Sequence, residues 1–272
     1  MDPDLKLVRC RWVIAIWAVC FIVAIIAAVS MYVLRPQVAG FWTMATLSFI
    51  VYGGVAFGLY LACRVQKISI RRFVGPILPV GQVFKYALTA IPVFLSSLGG
   101  AWLIGLFAPH FFDGMVGEVL KNKPVGAFQI VPFFIMIVVV GPAIEEFTFR
   151  GLLFTRLSVK YSPRTAILLS SLMFGIMHFD FLGAFVFGLV AASLYAYSGS
   201  LIAPLALHCV NNLIAFGGFF ADNSGEQLPL WIGLPGLLIA IAMCAWLFAR
   251  WSRVALVPPY IAVEIGGQGA IS

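Results

Sequence analysis

Seven polar side chains stand inside otherwise apolar stretches of this chain: Glu145, Glu146, Arg150, His178, His208, Asn211 and Asn212. Two carboxylates, two imidazoles and carboxamides are the materials of hydrolysis. A carboxylate can take a proton from water, and preorganised N–H donors can hold a developing oxyanion. A charge at mid-helix in a bilayer costs about 2.5–3.5 kcal/mol on insertion scales, so such residues generally face a bundle interior and mark function.

Spacing sorts these residues. Glu146 and Arg150 stand four apart and share a helix face, so they can pair and lock their helix to its neighbours. Glu145 is turned from Glu146 by about 100° and has no partner in the sequence. Two readings of it stay open: a protonated side chain bonded to a backbone carbonyl, or a general base in a dry site. Pro142, three residues earlier, loosens the backbone there. His178, in FGIMHFD, is either a satisfied core residue or a catalyst, and its neighbours decide which. His208 and Asn212, in APLALHCVNNLIAF, also share a face; they can bond helices together or donate to an oxyanion.

The elements that must hold these groups are membrane helices. Of 272 residues, 62% are hydrophobic and 10% charged, with a mean hydropathy of +1.06. That composition predicts an all-α, polytopic transmembrane bundle and leaves no room for a separate soluble core. At roughly 20 residues per crossing it has about eight spans, near 12–34, 41–63, 84–107, 127–157, 165–179, 181–198, 201–220 and 230–250. The first is too long for a signal peptide and lacks a small-residue cleavage site, so it is read as a retained span. One membrane domain is expected, in three stretches: N-terminal helices and loops over 1–126, a core over 127–220, and a last span and tail over 221–272.

Charge placement gives the topology. With both termini inside, inner segments hold Lys6, Arg9 and Arg11, then Arg64, Lys67, Arg71 and Arg72, then Arg156, Lys160 and Arg164, then Arg250 and Arg253. Outer loops hold Arg35, Lys121 and Lys123 with Asp113, Glu118, Asp180, Asp222 and Glu226, so the bias favours N-in and C-in. The net charge of +7 is thus topological, and no nucleic-acid partner is expected. Five cysteines (Cys10, Cys20, Cys63, Cys209, Cys244) without C-x-x-C spacing read as buried small hydrophobes. Gly99-Gly100 and Gly217-Gly218 are read as close helix packing or a break, and the tail from Val254 as irregular. No inverted repeat of the transporter kind is visible.

At a rise of 1.5 Å per residue from the inner helix ends, Glu145 stands about 16 Å deep, His178 about 21 Å, His208 about 10 Å and Asn212 about 16 Å. Polar groups on separate spans therefore converge toward one depth, which favours a shared site.

Glu145-Glu146-x-x-x-Arg150, Phe174-x-x-x-His178 and His208-x-x-x-Asn212, in this order on successive helices, resemble the three motifs of the CAAX protease and bacteriocin-processing (Abi) family. That family includes the Rce-type CAAX prenyl endopeptidase. The match covers roughly 141–215. The resemblance implies an intramembrane endopeptidase in which Glu145 and His178 activate water, His208 and Asn212 hold the oxyanion, and Glu146 and Arg150 support them. It implies a membrane-associated peptide or protein as substrate and the bilayer as surroundings.

The family is also described as metal-dependent, and Glu145, His178 and His208 could supply three zinc ligands. Asn212 beside His208 fits an oxyanion role better, the zincin H-E-x-x-H is absent, and a metal-free glutamate mechanism is favoured. Neither G-x-S-x-G nor a pair of membrane aspartates is present. Two alternatives stand beside the protease: a transporter using Glu145 as a proton site, and a non-catalytic immunity or scaffold protein of the same fold. The compact loops point to a prokaryotic plasma membrane, with an ER-type membrane as the eukaryotic counterpart.

Overall fold

The computed structural model describes residues 10–34, 41–67, 69–110, 123–221 and 228–251, and all regular structure among them is helical. Helix α1 is Cys10–Leu34. Helix α2 (41–65) joins Phe41–Ser48 to Gly54–Val65 through a π-helical turn, Phe49–Gly53. The short α3 is Ile70–Val74, and α4 is Val80–Phe107, with a turn at Thr89. Helix α5, Ala127–Lys160, contains two π-helical segments, Ile135–Val140 and Phe147–Phe154. Then come α6 (Pro163–Ile176), α7 (Phe181–Ser198), α8 (Ile202–Ala221) and α9 (Leu230–Trp251).

Local sequence sets the tight corners. The Ser162 hydroxyl accepts the Thr165 N–H and Pro163 takes the first helical position, where its missing N–H costs nothing, so α6 starts there. Asp180 caps α7 by accepting the Gly183 N–H at 3.0 Å. Gly199, at φ +67°, ends α7 in the left-handed conformation that glycine adopts without penalty.

Helix α7 forms the centre: 67% of its span is buried, against 17–33% for the other long spans. Around it the helices come close wherever a glycine removes a side chain. A Cβ on Gly188 would stand 2.9 Å from Ser171 Cα of α6, and Gly99 of α4 lies directly against Gly236 and Leu237 of α9. Helices α1 and α2 run antiparallel, with Gly58 against Ile16 and Gly54 against Cys20. At one end, the Tyr195 hydroxyl donates to Phe73 O (2.8 Å), the Ser200 hydroxyl to Pro76 O (2.7 Å) and Arg164 to Trp251 O. The outward faces carry exposed Val19, Ile26, Phe84, Ile241 and Trp246, an apolar exterior suited to lipid.

Among the described residues, six helical stretches are long and apolar enough to cross a membrane, and this is an integral membrane protein. The fifth expected span, 165–179, is helical as α6 but ends three residues early. Helix α6 stops at Ile176, so its 14 residues extend about 21 Å, against the roughly 30 Å of hydrocarbon. Helix α1, at 25 residues, covers the first expected span and is about 37 Å long, enough to cross the hydrocarbon. Gly99 and Gly100 pack closely, as expected. Gly217 and Gly218 do not: nothing lies within 4 Å of a Cβ at either, and α8 runs through them unbroken. Cys20, Cys63, Cys209 and Cys244 are free thiols. Lys6, Arg9, Arg35, Asp113, Glu118, Lys121, Asp222, Glu226, Arg253, the Cys10 side chain and the tail from Val254 lie outside the described residues.

Candidate active site

The backbone of α5 prepares the site. Its first π-helical segment pairs the Gly141 N–H with Met136 O, five residues back. The next carbonyl in that pattern, Ile137 O, would need an N–H from residue 142, which is proline and has none. The Asn212 amide of α8 fills the vacancy, donating to Ile137 O at 2.9 Å. A buried carbonyl left unpaired would cost about 1–3 kcal/mol, so Pro142 and Asn212 form a matched pair across two helices.

Glu146 organises the buried layer beneath. Its Oε1 accepts from Arg150 Nη1 at 3.0 Å and from His208 Nδ1 at 2.7 Å, and all three side chains are within a few per cent of full burial. The Arg150 guanidinium also lies 4.4 Å above the Phe174 ring and 5.4 Å from Phe187. That cation–π contact offsets part of the cost of burying the charge. The Glu146 carboxylate and the Phe174 ring thus hold one cation between them. Because a carboxylate only accepts, His208 donates through Nδ1 and directs Nε2 toward Glu145.

Glu145 points the other way, as its 100° offset requires. Its Oε1 accepts the Tyr52 hydroxyl at 2.6 Å, and its Oε2 faces His208 Nε2 at 3.7 Å and His178 Nε2 at 3.9 Å. Both of the latter distances exceed a hydrogen bond and leave room for a small ligand to touch carboxylate and imidazole together. His178 lies in the turn after α6, where Nδ1 donates to Phe174 O at 2.8 Å and Nε2 is turned toward Glu145. The Phe174 ring stacks 4.3 Å from the His178 ring, which explains the spacing of four in that motif.

Two cavities meet at these groups. One, of about 530 Å³, reaches Glu145 and His178 past Trp17, Phe21, Val51, Tyr52 and Phe149. The other, of about 220 Å³, lies on the far side of His178 and His208 and is bordered by Ser97, Asp180, Asn211 and Asn212. One is an apolar approach and the other a polar recess, with the imidazoles between them.

The sequence-selected residues Glu145, Glu146, Arg150, His178, His208 and Asn212 all gather here. The Glu146–Arg150 pair forms as spacing indicated. Despite the depth difference of about 6 Å between their backbones, side-chain length brings His208 to both glutamates. Sequence reasoning missed Tyr52, which arrives from α2 with no motif of its own. The signal lay in Gly141, one turn before Glu145: a Cβ there would stand 3.2 Å from Tyr52 Cζ. Asp180, read as an outer-loop residue, turns inward onto the recess, where burial pushes its carboxyl up against the opposing pull of the Gly183 N–H and Ser97. Among the described residues, no group of three or more His, Cys, Asp or Glu side chains is arranged as a metal-ion site.

Comparison with known proteins adds a second line. Residues 127–214 match the family model described as Type II CAAX prenyl endopeptidase Rce1-like. The chain is also 30% identical over 163 residues to a Bacillus subtilis (strain 168) protein named "Putative membrane peptidase YdiL", covering 56% of this chain and 66% of that relative. The chain thus spans just under two thirds of the curated relative it matches. No solved structure matches it.

Proposed function

We propose that this chain, which over residues 127–214 belongs to the Rce1-like family of type II CAAX prenyl endopeptidases, is an intramembrane endopeptidase acting on a membrane-associated protein or peptide. The observation that carries the reading is the division of labour within one carboxylate. Tyr52 holds Glu145 Oε1, while Oε2 faces two imidazole nitrogens at the end of an apolar cavity.

In the proposed reaction a water rests between Glu145 Oε2 and His178 Nε2. Glu145 takes one of its protons as the oxygen attacks the peptide carbonyl carbon, and the carbonyl π electrons move onto oxygen. Asn212 supports that oxyanion with the amide hydrogen that Ile137 O does not use, and His208 donates from Nε2 in its imidazolium form. When the intermediate collapses, the C–N bond breaks and the proton held by Glu145 passes to the departing nitrogen. No step passes through a metal.

Purified protein should cleave a membrane-peptide reporter, and Glu145→Gln should reduce kcat by about 10²–10⁴-fold, the range of a lost general base, with an unchanged melting temperature. An active, folded Glu145→Gln protein would sink the proposal. Cleavage should also continue in chelator, with no stoichiometric metal in the sample. Loss of activity in chelator and recovery with zinc would replace this mechanism.

A further inference from the structure

A cavity of about 670 Å³ lies between α4, α7 and α9, bordered by Tyr86, Leu194, Tyr197, Met243, Trp246 and Arg250. It shares no lining residue with the two cavities at Glu145. It sits at the end of the bundle where Arg11, Arg64, Arg71, Arg156 and Arg164 also gather.

Two hydroxyls of this lining have already spent their hydrogens on backbone carbonyls. Thr89 spends its hydroxyl on Tyr86 O at 2.6 Å. Ser193 spends its own on Leu189 O at 2.6 Å while accepting the Trp251 indole N–H. The Tyr197 hydroxyl is buried with no partner among the described residues. The Arg250 guanidinium lies 5.4 Å from the Tyr197 ring and 5.6 Å from the Trp246 ring. The three described acids, Glu145, Glu146 and Asp180, all belong to the active site, so none neutralises Arg250. Behind these groups the walls are Pro92, Val190 and Leu247.

A guanidinium held on two aromatic faces, with no carboxylate of the described residues beside it, above an apolar chamber matches a molecule with an anionic head and a hydrocarbon tail. We propose that this cavity binds an anionic phospholipid, with its phosphate at Arg250 and an acyl chain along Leu194 and Met243. A neutral headgroup leaves the cation uncompensated, and a free phosphate leaves the apolar chamber unfilled. Basic pockets between helices at a membrane surface are suited to such headgroups.

The test is native mass spectrometry of the full chain in neutral detergent, titrated with dioleoyl phosphatidylglycerol or dioleoyl phosphatidylcholine, with inorganic phosphate as a third arm. Phosphatidylglycerol should be retained about fivefold better than phosphatidylcholine, the scale set by one cation near an anionic headgroup. Arg250→Gln should erase that preference, Arg250→Lys should keep most of it, and Leu194→Trp should weaken retention of the lipid by filling the chamber. Melting temperatures check that each variant is folded. Equal retention of the two lipids, an unchanged preference in Arg250→Gln, or stabilisation by inorganic phosphate equal to that by the lipid would each overturn the proposal.

Discussion

Glu145 and Glu146 are chemically identical neighbours whose surroundings assign them opposite tasks. Glu146 is enclosed by Arg150 and His208, so its charge is compensated within the protein. Removing it by Glu146→Ala leaves Arg150 buried without a counter-charge, and a loss of about 3–5 kcal/mol is expected, seen as a large drop in melting temperature. Glu145→Ala should leave folding nearly intact. Tyr52 offers a finer probe. Tyr52→Phe keeps the ring against Gly141 and Trp17 but removes the O–H from Oε1. A charge-assisted bond worth about 1.5 kcal/mol corresponds to about a tenfold fall in kcat, with KM little changed. A Tyr52→Phe enzyme with wild-type kcat would remove Tyr52 from the site.

At the scale of the element, the π-helical segments and glycines carry the information. Pro142 leaves Ile137 O without a backbone donor, and Asn212 supplies one from α8. Asn212→Leu should therefore destabilise the protein by about 1 kcal/mol in detergent unfolding. In a Pro142→Ala background, where residue 142 regains its N–H, the same substitution should cost measurably less. Additive costs would mean that the two residues act independently. The α4–α9 contact is a second such case. Gly99→Leu places a side chain where Gly236 and Leu237 already stand, and it should lower the melting temperature more than Gly217→Leu, which faces open space.

Across the whole molecule, the described cations other than Arg150 and Lys123 lie at one end of the bundle, at or near the helix ends. That asymmetry predicts this end in the cytoplasm. A C-terminal fluorescent reporter should be bright and an alkaline phosphatase fusion near His110 active; the reverse pattern would invert the topology. Fold class was readable because lipid forces every backbone polar group to pair within its own helix, so a run of apolar residues implies an apolar helix. The end of α6 was harder to read. His178 and its neighbours look as apolar as a helix, yet α6 ends two residues before His178, and the turn is then held by Asp180.

The sequence by itself determined an all-helical membrane protein, the Glu146–Arg150 pair, and the group Glu145, His178, His208 and Asn212, because helical spacing and the cost of charge in lipid act locally. Only the tertiary structure decided what those residues face. Tyr52 on Glu145, His208 on Glu146 and Asn212 on Ile137 O join positions 93, 62 and 75 residues apart, and such pairings follow from how glycine-cleared helices pack. Periodicity along one helix specifies a direction, and it takes a neighbouring helix to supply the partner found there.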